Sequence, residues 1–259
     1  MSESMTMTPT ESAGGTNEAC YVYGIVPADA PVEGLEGAGM GEPVRLVVNG
    51  QVGALVEVVD PDRPLGRRRD LVAHSTVLNT MAERGPVLPL RFGSVVQGED
   101  AVRHELLGPQ VEHFASLLDQ VRGGVQFTLR ARYVLDTVLA EIVEAEPEVA
   151  ELRRRTADLP EEASHYERIR LGELVAQAVD VRRRAEEQQL LDRLAPHAQD
   201  HLVREVSGMD DLAEFAFLVD AEQQGELERA AEVLAEELDG RVRLSLVGPM
   251  ALYDFVPEH

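Results

Sequence analysis

Apolar residues recur along this chain with two periods, and the switches between them predict the order of its elements. Cys20 to Val26 (CYVYGIV) is β-branched and aromatic and ends at Pro27, the composition of a strand buried on at least one face. A glycine-rich stretch from Ala28 to Pro43 reads as a loop. Two apolar runs follow, Val44 to Val48 and Val52 to Val59, split by Asn49-Gly50. That dipeptide supplies the positive φ angles of a type I′ turn, so the runs are predicted to form a hairpin. Arg67 to Arg84 carries Leu71, Ser75, Leu78 and Met81 or Ala82 at helical spacing and stops at Gly85-Pro86. Val87 to Val96 (VLPLRFGSVV) reads as a strand interrupted by Pro89 and Gly93. Proline donates no ladder hydrogen bond, so this strand is expected at a sheet edge or with a bulge. Glu99 to Val121 is helical again, with Val102, Leu106, Val111, Phe114, Leu117 and Leu118 inward and Gly123-Gly124 closing it.

The second half repeats the alternation. Val125 to Leu135 places Val125, Phe127, Leu129, Ala131 and Tyr133 on one face, and Gln126, Thr128, Arg130 and Arg132 on a face that should be wet or meet a polar partner. Two helical stretches follow, Thr137 to Asp158 with a break at Pro147, and Pro160 to Val206 with a break at Pro196. The second sets Leu171, Leu174, Ala178, Val181 and Ala185 at three-four spacing, slips by one residue, and resumes at Leu191, Ala195, Ala198 and Leu202. That pattern suits a coiled-coil-like arm, packed within the chain or facing another. Leu212 to Asp220 is a strand, Glu222 to Leu238 an amphipathic helix, and Val242 to Val247 a strand reaching Gly248-Pro249, before a last apolar run from Ala251 to Val256. Strands and helices segregated in this way predict an α+β fold of two domains, 19–123 and 124–259, the second with a helical hairpin around 137–206. Residues 1–18 have no apolar periodicity and are expected to form a disordered tail.

With 259 residues, 44% of them apolar, the chain has material for such cores. Its net charge of −23 disfavours nucleic acid and anionic lipid as partners. No run approaches the length of a membrane span, and the polar start lacks the features of a signal peptide, so a cytoplasmic protein is expected. The single cysteine, Cys20, can form neither an internal disulfide nor a thiolate zinc site. All 24 basic residues are arginine. Without lysine there is no internal Schiff base, no Ser-x-x-Lys nucleophile and no phosphate-loop lysine.

No constellation of catalytic side chains, metal ligands or cofactor-binding groups emerges. Gly37-Ala38-Gly39-Met40-Gly41 lacks dinucleotide-loop spacing, and no GxSxG is present. His197 and His201, four apart, are expected on one solvated helix face without the glutamate of a zinc motif. His74 is expected as a hydrogen-bonded structural histidine beside a core stripe. The arginine triplets at 67–69, 153–155 and 182–184 are met by carboxylates four residues away in Glu151/Arg155, Arg182/Glu186 and Arg183/Glu187, so local helix ion pairs account for them, with docking of an acidic partner the alternative.

The segments YVYGIV, HSTVLNTMAERGPVLPLRFGSVV, SHYERIRLGELVAQAV, AFLVD and the terminal GPMALYDFV occur in the order characteristic of one family. Across nearly all the chain after residue 18, this sequence resembles the GvpF/GvpL family of gas vesicle proteins. It departs at the end, where the family pattern has tryptophan and prolines after Gly-Pro and this chain has Met250, Ala251 and Leu252 before Tyr253. The resemblance implies an N-terminal α/β domain and a C-terminal ferredoxin-like domain with an added helical part. It implies a non-enzymatic accessory protein of gas vesicle assembly that binds the hydrophobic shell protein GvpA, works without cofactors, and sits in the cytoplasm or on the vesicle, including its gas-facing surface. Two alternatives stand beside it, a GvpL-like scaffold recruiting several accessory proteins and a small-molecule enzyme of α+β type. Candidate partner-binding residues are Arg91 and Phe92, which alternate along the interrupted strand, and Tyr166, Arg168 and Arg170, which open the long helix and either anchor it on the sheet or form a polar rim.

Overall fold

The computed structural model describes residues 18–157 and 159–256. The tail expected over 1–18 falls, but for Glu18, outside the described residues.

The first sheet is antiparallel and built around β1 (Ala19–Pro27), which pairs with β3 (Val52–Val59) on one side and with two short strands, β4 (Leu88–Pro89) and β5 (Val95–Val96), on the other; β2 (Arg45–Asn49) closes the β3 edge. β1 is buried on both faces, which explains its unbroken apolar composition. Its register with β3 shifts between Val22 and Gly24, and the bulge changes the phase of the faces. Cys20, Val22 and Ile25 join one core with Phe114 and Leu118, while Tyr21, Tyr23 and Val26 join a second with Val77, Leu78 and Met81. Gly24 sits where the backbone of β4 passes: an added Cβ would lie 2.7 Å from the Leu88 oxygen and 2.8 Å from Leu78 Cδ2.

The hairpin is as expected, its turn is not. Asn49 pairs with Val52 in the ladder, so Gly50 and Gln51 are the central residues. Only Gly50 has a positive φ, of 62°; this is the type II′ pattern, not type I′. Helix α1 (Arg68–Ala82) keeps Leu78 and Met81 of the expected face inward but turns Leu71 out. Asp70, His74, Val77 and Met81 are buried, whereas Leu71 and Val72 are exposed. The helix predicted over 99–121 is segmented into α2 (Gly98–Ala101), a π turn (Val102–Leu107), a 3-10 turn at Gly108–Gln110 and α3 (Val111–Gln120). The wider π turn places Leu107, one residue past the expected Leu106, in the core.

The second sheet has the order β7-β8-β6-β9, all antiparallel: β6 (Gly124–Tyr133), β7 (Asp200–Arg204), β8 (Asp211–Asp220) and β9 (Val242–Met250). With α7 (Gln224–Glu237) between β8 and β9, and helices between β6 and β7, the order is β-α-β-β-α-β, the ferredoxin-like plan. The added helical part is α4 (Leu135–Ala145), α5 (Pro147–Ala157) and the 34-residue α6 (Glu161–Leu194), roughly 50 Å long at 1.5 Å per residue. Phe127, Leu129, Phe215 and Phe217 pack beneath Ile142, Val179, Leu194 and Leu234.

The long helix ends earlier than expected. Pro196 lies in a 3-10 turn (Ala195–His197), and residues 200–204 form β7 instead of a helix end. His197 and His201 therefore share no helix face. The slip in the apolar pattern of α6 is also no coiled-coil stutter: the inward face runs on through Val179, Arg183, Glu186, Leu190 and Leu194, so polar residues continue it. The polar face of β6 is half covered. Arg130 and Arg132 are exposed, but Gln126 and Thr128 are buried. Gln126 Oε1 accepts the Asp254 N–H at 3.0 Å and its side-chain amide donates to the Asp254 carboxylate, while the Ala251 N–H donates to Asn79 Oδ1 of α1 at 3.2 Å. Leu252 and Val256 of this same segment enter the core of the first sheet with Phe114 and Leu118.

Candidate functional site

The interrupted strand is a loop set into the edge of the first sheet. Leu90 N–H donates to the Tyr23 carbonyl at 2.9 Å and Val22 N–H to the Ser94 carbonyl at 2.8 Å, so ladder bonding resumes on both sides of residues 91–93. Gly93 turns the chain at a φ of 94°, and the Ser94 hydroxyl closes the turn on the Arg91 carbonyl at 2.8 Å. Pro89 sits on the outer strand, where its missing donor costs nothing. The expectation of an edge is met, but Arg91 and Phe92 lie in the turn and do not alternate along a strand. Phe92 is half-buried, its ring 6.0 Å from Tyr21 and 5.6 Å from His74, and Arg91 is exposed beside it.

A buried polar chain holds this loop from below. The Tyr21 hydroxyl accepts the Gly93 N–H at 3.2 Å and donates to His74 Nδ1 at 2.8 Å. His74 bonds the Leu90 backbone as well. Burial, opposed only by that bond, lowers the His74 pKa to about 4, and burial raises Tyr21 to about 12. Alongside, the Tyr23 hydroxyl donates to Glu57 Oε2 at 2.5 Å, and burial together with that carboxylate pushes its pKa up. Glu57 is buried and accepts the N–H groups of Met40 and Glu42 at 2.7 and 2.9 Å. The backbone donors of the glycine loop are thus turned onto the protein's own carboxylate.

Tyr166, Arg168 and Arg170 lie on the first turns of α6, on the helical part and not on the sheet. Tyr166 is 85% exposed. Arg168 donates to Ser164 Oγ at 2.9 Å and to the carbonyls of Thr156 and Leu159 at 3.3 and 3.4 Å. It therefore fastens the end of α5 to the start of α6, satisfying carbonyls the helix end leaves open. Arg170 pairs with Glu148 at 3.4 Å, both exposed. Arg91 and Phe92 belong to the first sheet, these three to the arm of the second.

Sequence spacing missed an ion network at the root of the arm. Arg241, just before β9, holds Glu186 of α6 at 2.6 Å and Glu141 of α4 at 2.9 Å. Glu141 also takes Arg182 at 3.1 Å, and the Tyr133 hydroxyl donates to Glu186 at 2.9 Å. Hydrogen bonds that Arg241 donates to Glu186 first, and to Glu141, outweigh partial burial and raise its pKa. Among the described residues the expected four-residue pairs do not form, and the triplets combine local and distant partners: Arg183 meets Asp180 at 3.3 Å one turn away and donates to the Gly208 carbonyl at 2.8 Å, Arg69 meets Asp70 at 3.7 Å, and Arg155 meets Glu167 at 3.3 Å. Two clefts flank α6. One of about 450 Å³ lies against α7 above Leu190, Leu212 and Leu234, and one of about 400 Å³ against α4 and α5 above Ile142 and Val149. Among the described residues no three His, Cys, Asp or Glu side chains are grouped to hold a metal ion, and no helix is long and apolar enough to cross a membrane.

Comparison with known proteins places these surfaces in a family. Residues 19–257 match the family model described as gas vesicle synthesis protein GvpL/GvpF. A gas vesicle protein F of Streptomyces sp. (strain CB03234) is 32% identical over 241 residues, covering 91% of this chain and 98% of that protein. One of Microcystis aeruginosa (strain PCC 7806) is 26% identical over 238 residues, covering 91% of this chain and 96% of that one. The crystal structure of GvpF from Anabaena sp. PCC7120 superposes with a TM-score of 0.76 at 23% identity, over 93% of this chain and 99% of that one, a likeness of fold. The crystal structure of the Microcystis aeruginosa GvpF gives 0.73 at 26%, over 92% and 98%. With the family model spanning both sheets and the arm between them, this chain belongs to the gas vesicle GvpL/GvpF family.

Proposed function

We propose that this chain is an accessory protein of gas vesicle assembly that binds the hydrophobic shell protein GvpA and keeps it soluble for nucleation or incorporation, acting by binding and not by catalysis. The match of the family model over 19–257 carries the reading. The relatives named gas vesicle protein F favour a GvpF-like role over the GvpL-like scaffold. A body of net charge −23 suits a carrier, because its charge keeps a complex with an apolar client from associating further. The cytoplasm and the vesicle, its gas-facing side included, are the compartments this role requires. We read the chain as two domains, 19–123 and 124–259. The loop presenting Arg91 and Phe92 is the client-facing feature of the first, and Tyr166 with Arg170 that of the second.

The test is co-expression with GvpA, size exclusion of the soluble fraction and mass by light scattering. A discrete complex holding GvpA in solution supports the carrier role. The accessory protein alone in solution, with GvpA in the pellet, refutes it.

A further inference from the structure

Helix α6 carries two apolar stripes, one buried and one covered only in part, where Leu174 and Ala178 lean on the core and Val181 and Ala185 are open. At about 100° per residue, Leu174, Ala178, Val181 and Ala185 fall within a band about 60° wide, rotated by about a quarter turn or more from Val179, Leu190 and Leu194. The second set is buried on the sheet. The first lines the cleft of about 400 Å³ between α6 and the α4–α5 pair, whose floor is Ile142 and Val149. Val181 is 65% exposed and Ala185 is exposed as well. A lone exposed valine needs no explanation. Four small or branched apolar residues in line along a concavity roughly 16 Å long form the kind of apolar wall that helix-in-groove recognition uses.

Charge selects the occupant. The α4–α5 rim presents Glu146 and Glu148. Glu146 has no ion pair among the described residues, and Glu148 has only the exposed contact to Arg170. Helix α4 contributes Asp136 and Glu144 besides Glu141, which Arg182 and Arg241 already hold, and no basic residue, while the arginines of α5, Arg153 to Arg155, come after the residues that line the cleft. The one arginine lining the cleft, Arg182, is already held by Glu141 at 3.1 Å.

We propose that this groove receives an amphipathic helix of a partner, its apolar face flanked by arginine or lysine. The proposal deepens the carrier reading and rests on it, with the helix offered by the shell protein.

The test uses the full chain and two probes. The first is a fluorescent synthetic 18-residue helix with leucine at three-four spacing flanked by arginines, with a control carrying glutamates instead. The second is GvpA in co-expression. The variant Val181→Asp/Ala185→Asp alters exposed positions only, and unchanged circular dichroism and melting temperature establish that it is folded. The arginine peptide is expected to bind the wild type, the glutamate peptide not, and the double variant to bind the arginine peptide at least tenfold more weakly. Because both substitutions add negative charge, diffuse attraction would instead strengthen binding, so equal or tighter binding by the variant overturns the proposal. Retention of GvpA by the variant at the wild-type level also overturns the groove and leaves the carrier reading standing. Peptide binding that obeys the pattern, with GvpA held by neither protein, supports the groove and removes the carrier reading.

Discussion

Moving from pH 7 to pH 5 should weaken this fold through one histidine. His74 is buried, accepts a hydrogen bond on Nδ1 from Tyr21, and has a folded-state pKa near 4 against an ordinary 6.5. The unfolded chain therefore takes up the proton first, and stability falls as pH drops through 6.5 and levels off below 4. Linkage between those values gives a loss of about 2 kcal/mol from pH 7 to pH 5. Asp70 and Glu214, held low by hydrogen bonds and arginines that outweigh their burial, lose their contributions only as pH falls further. The control is His74→Gln, which keeps a polar side chain without a titrating ring. Urea unfolding of both proteins at pH 7, 6 and 5 isolates the term, because effects common to both cancel in the difference. The wild type should lose about 2 kcal/mol more than the variant over this range. If the two lose the same amount, His74 is not held neutral by its surroundings, and the account of the loop's foundation is wrong.

Gly24→Ala should lower stability by about 2 kcal/mol in thermal melts, since its Cβ has no room between Leu88 and Leu78. Arg241→Ala leaves Glu141 and Glu186 facing each other without their shared cation and should cost about 2 kcal/mol, less in high salt; an unchanged melting temperature would contradict a network that supports the arm. Arg168→Ala should leave global stability within about 1 kcal/mol while speeding amide exchange around Thr156 and Ser164, where its hydrogen bonds end. Arg91→Ala should melt like the wild type yet weaken capture of GvpA; normal capture would remove the edge loop from the docking surface.

What the sequence made legible were elements whose side-chain pattern and environment agree. β1 and β3 are buried on both faces and β6 alternates over much of its length, so continuous or alternating apolar runs announced them. Helix α1 was misread because its inward face carries Asp70 and His74, polar residues satisfied by Arg63, Arg67 and Tyr21, while Leu71 and Val72 point outward. The same cause produced the false slip in α6, where Arg183 and Glu186 occupy inward positions beside partners far along the chain. Spacing rules see neighbours three or four residues away, and Arg241 is 55 residues from Glu186. β7 hid behind Pro196 because Leu202 extended a helical count that ended at the proline. For the candidate docking residues, spacing did not show the local settings found in the fold: Arg168 ties the end of α5 to the start of α6, and Arg91 and Phe92 ride a turn.

The segment from Ala251 to Val256 sets an order of events. Leu252 and Val256 fill the core beside Phe114 and Leu118, yet a ribosome delivers them about 230 residues after β1. At about 5–20 residues per second, the first sheet, whose last strand ends at Val96, waits roughly 8–30 s with that apolar surface uncovered. Throughout that interval the nascent chain itself carries the hazard of premature association, and general chaperones of the cell are the natural cover until its last strap arrives.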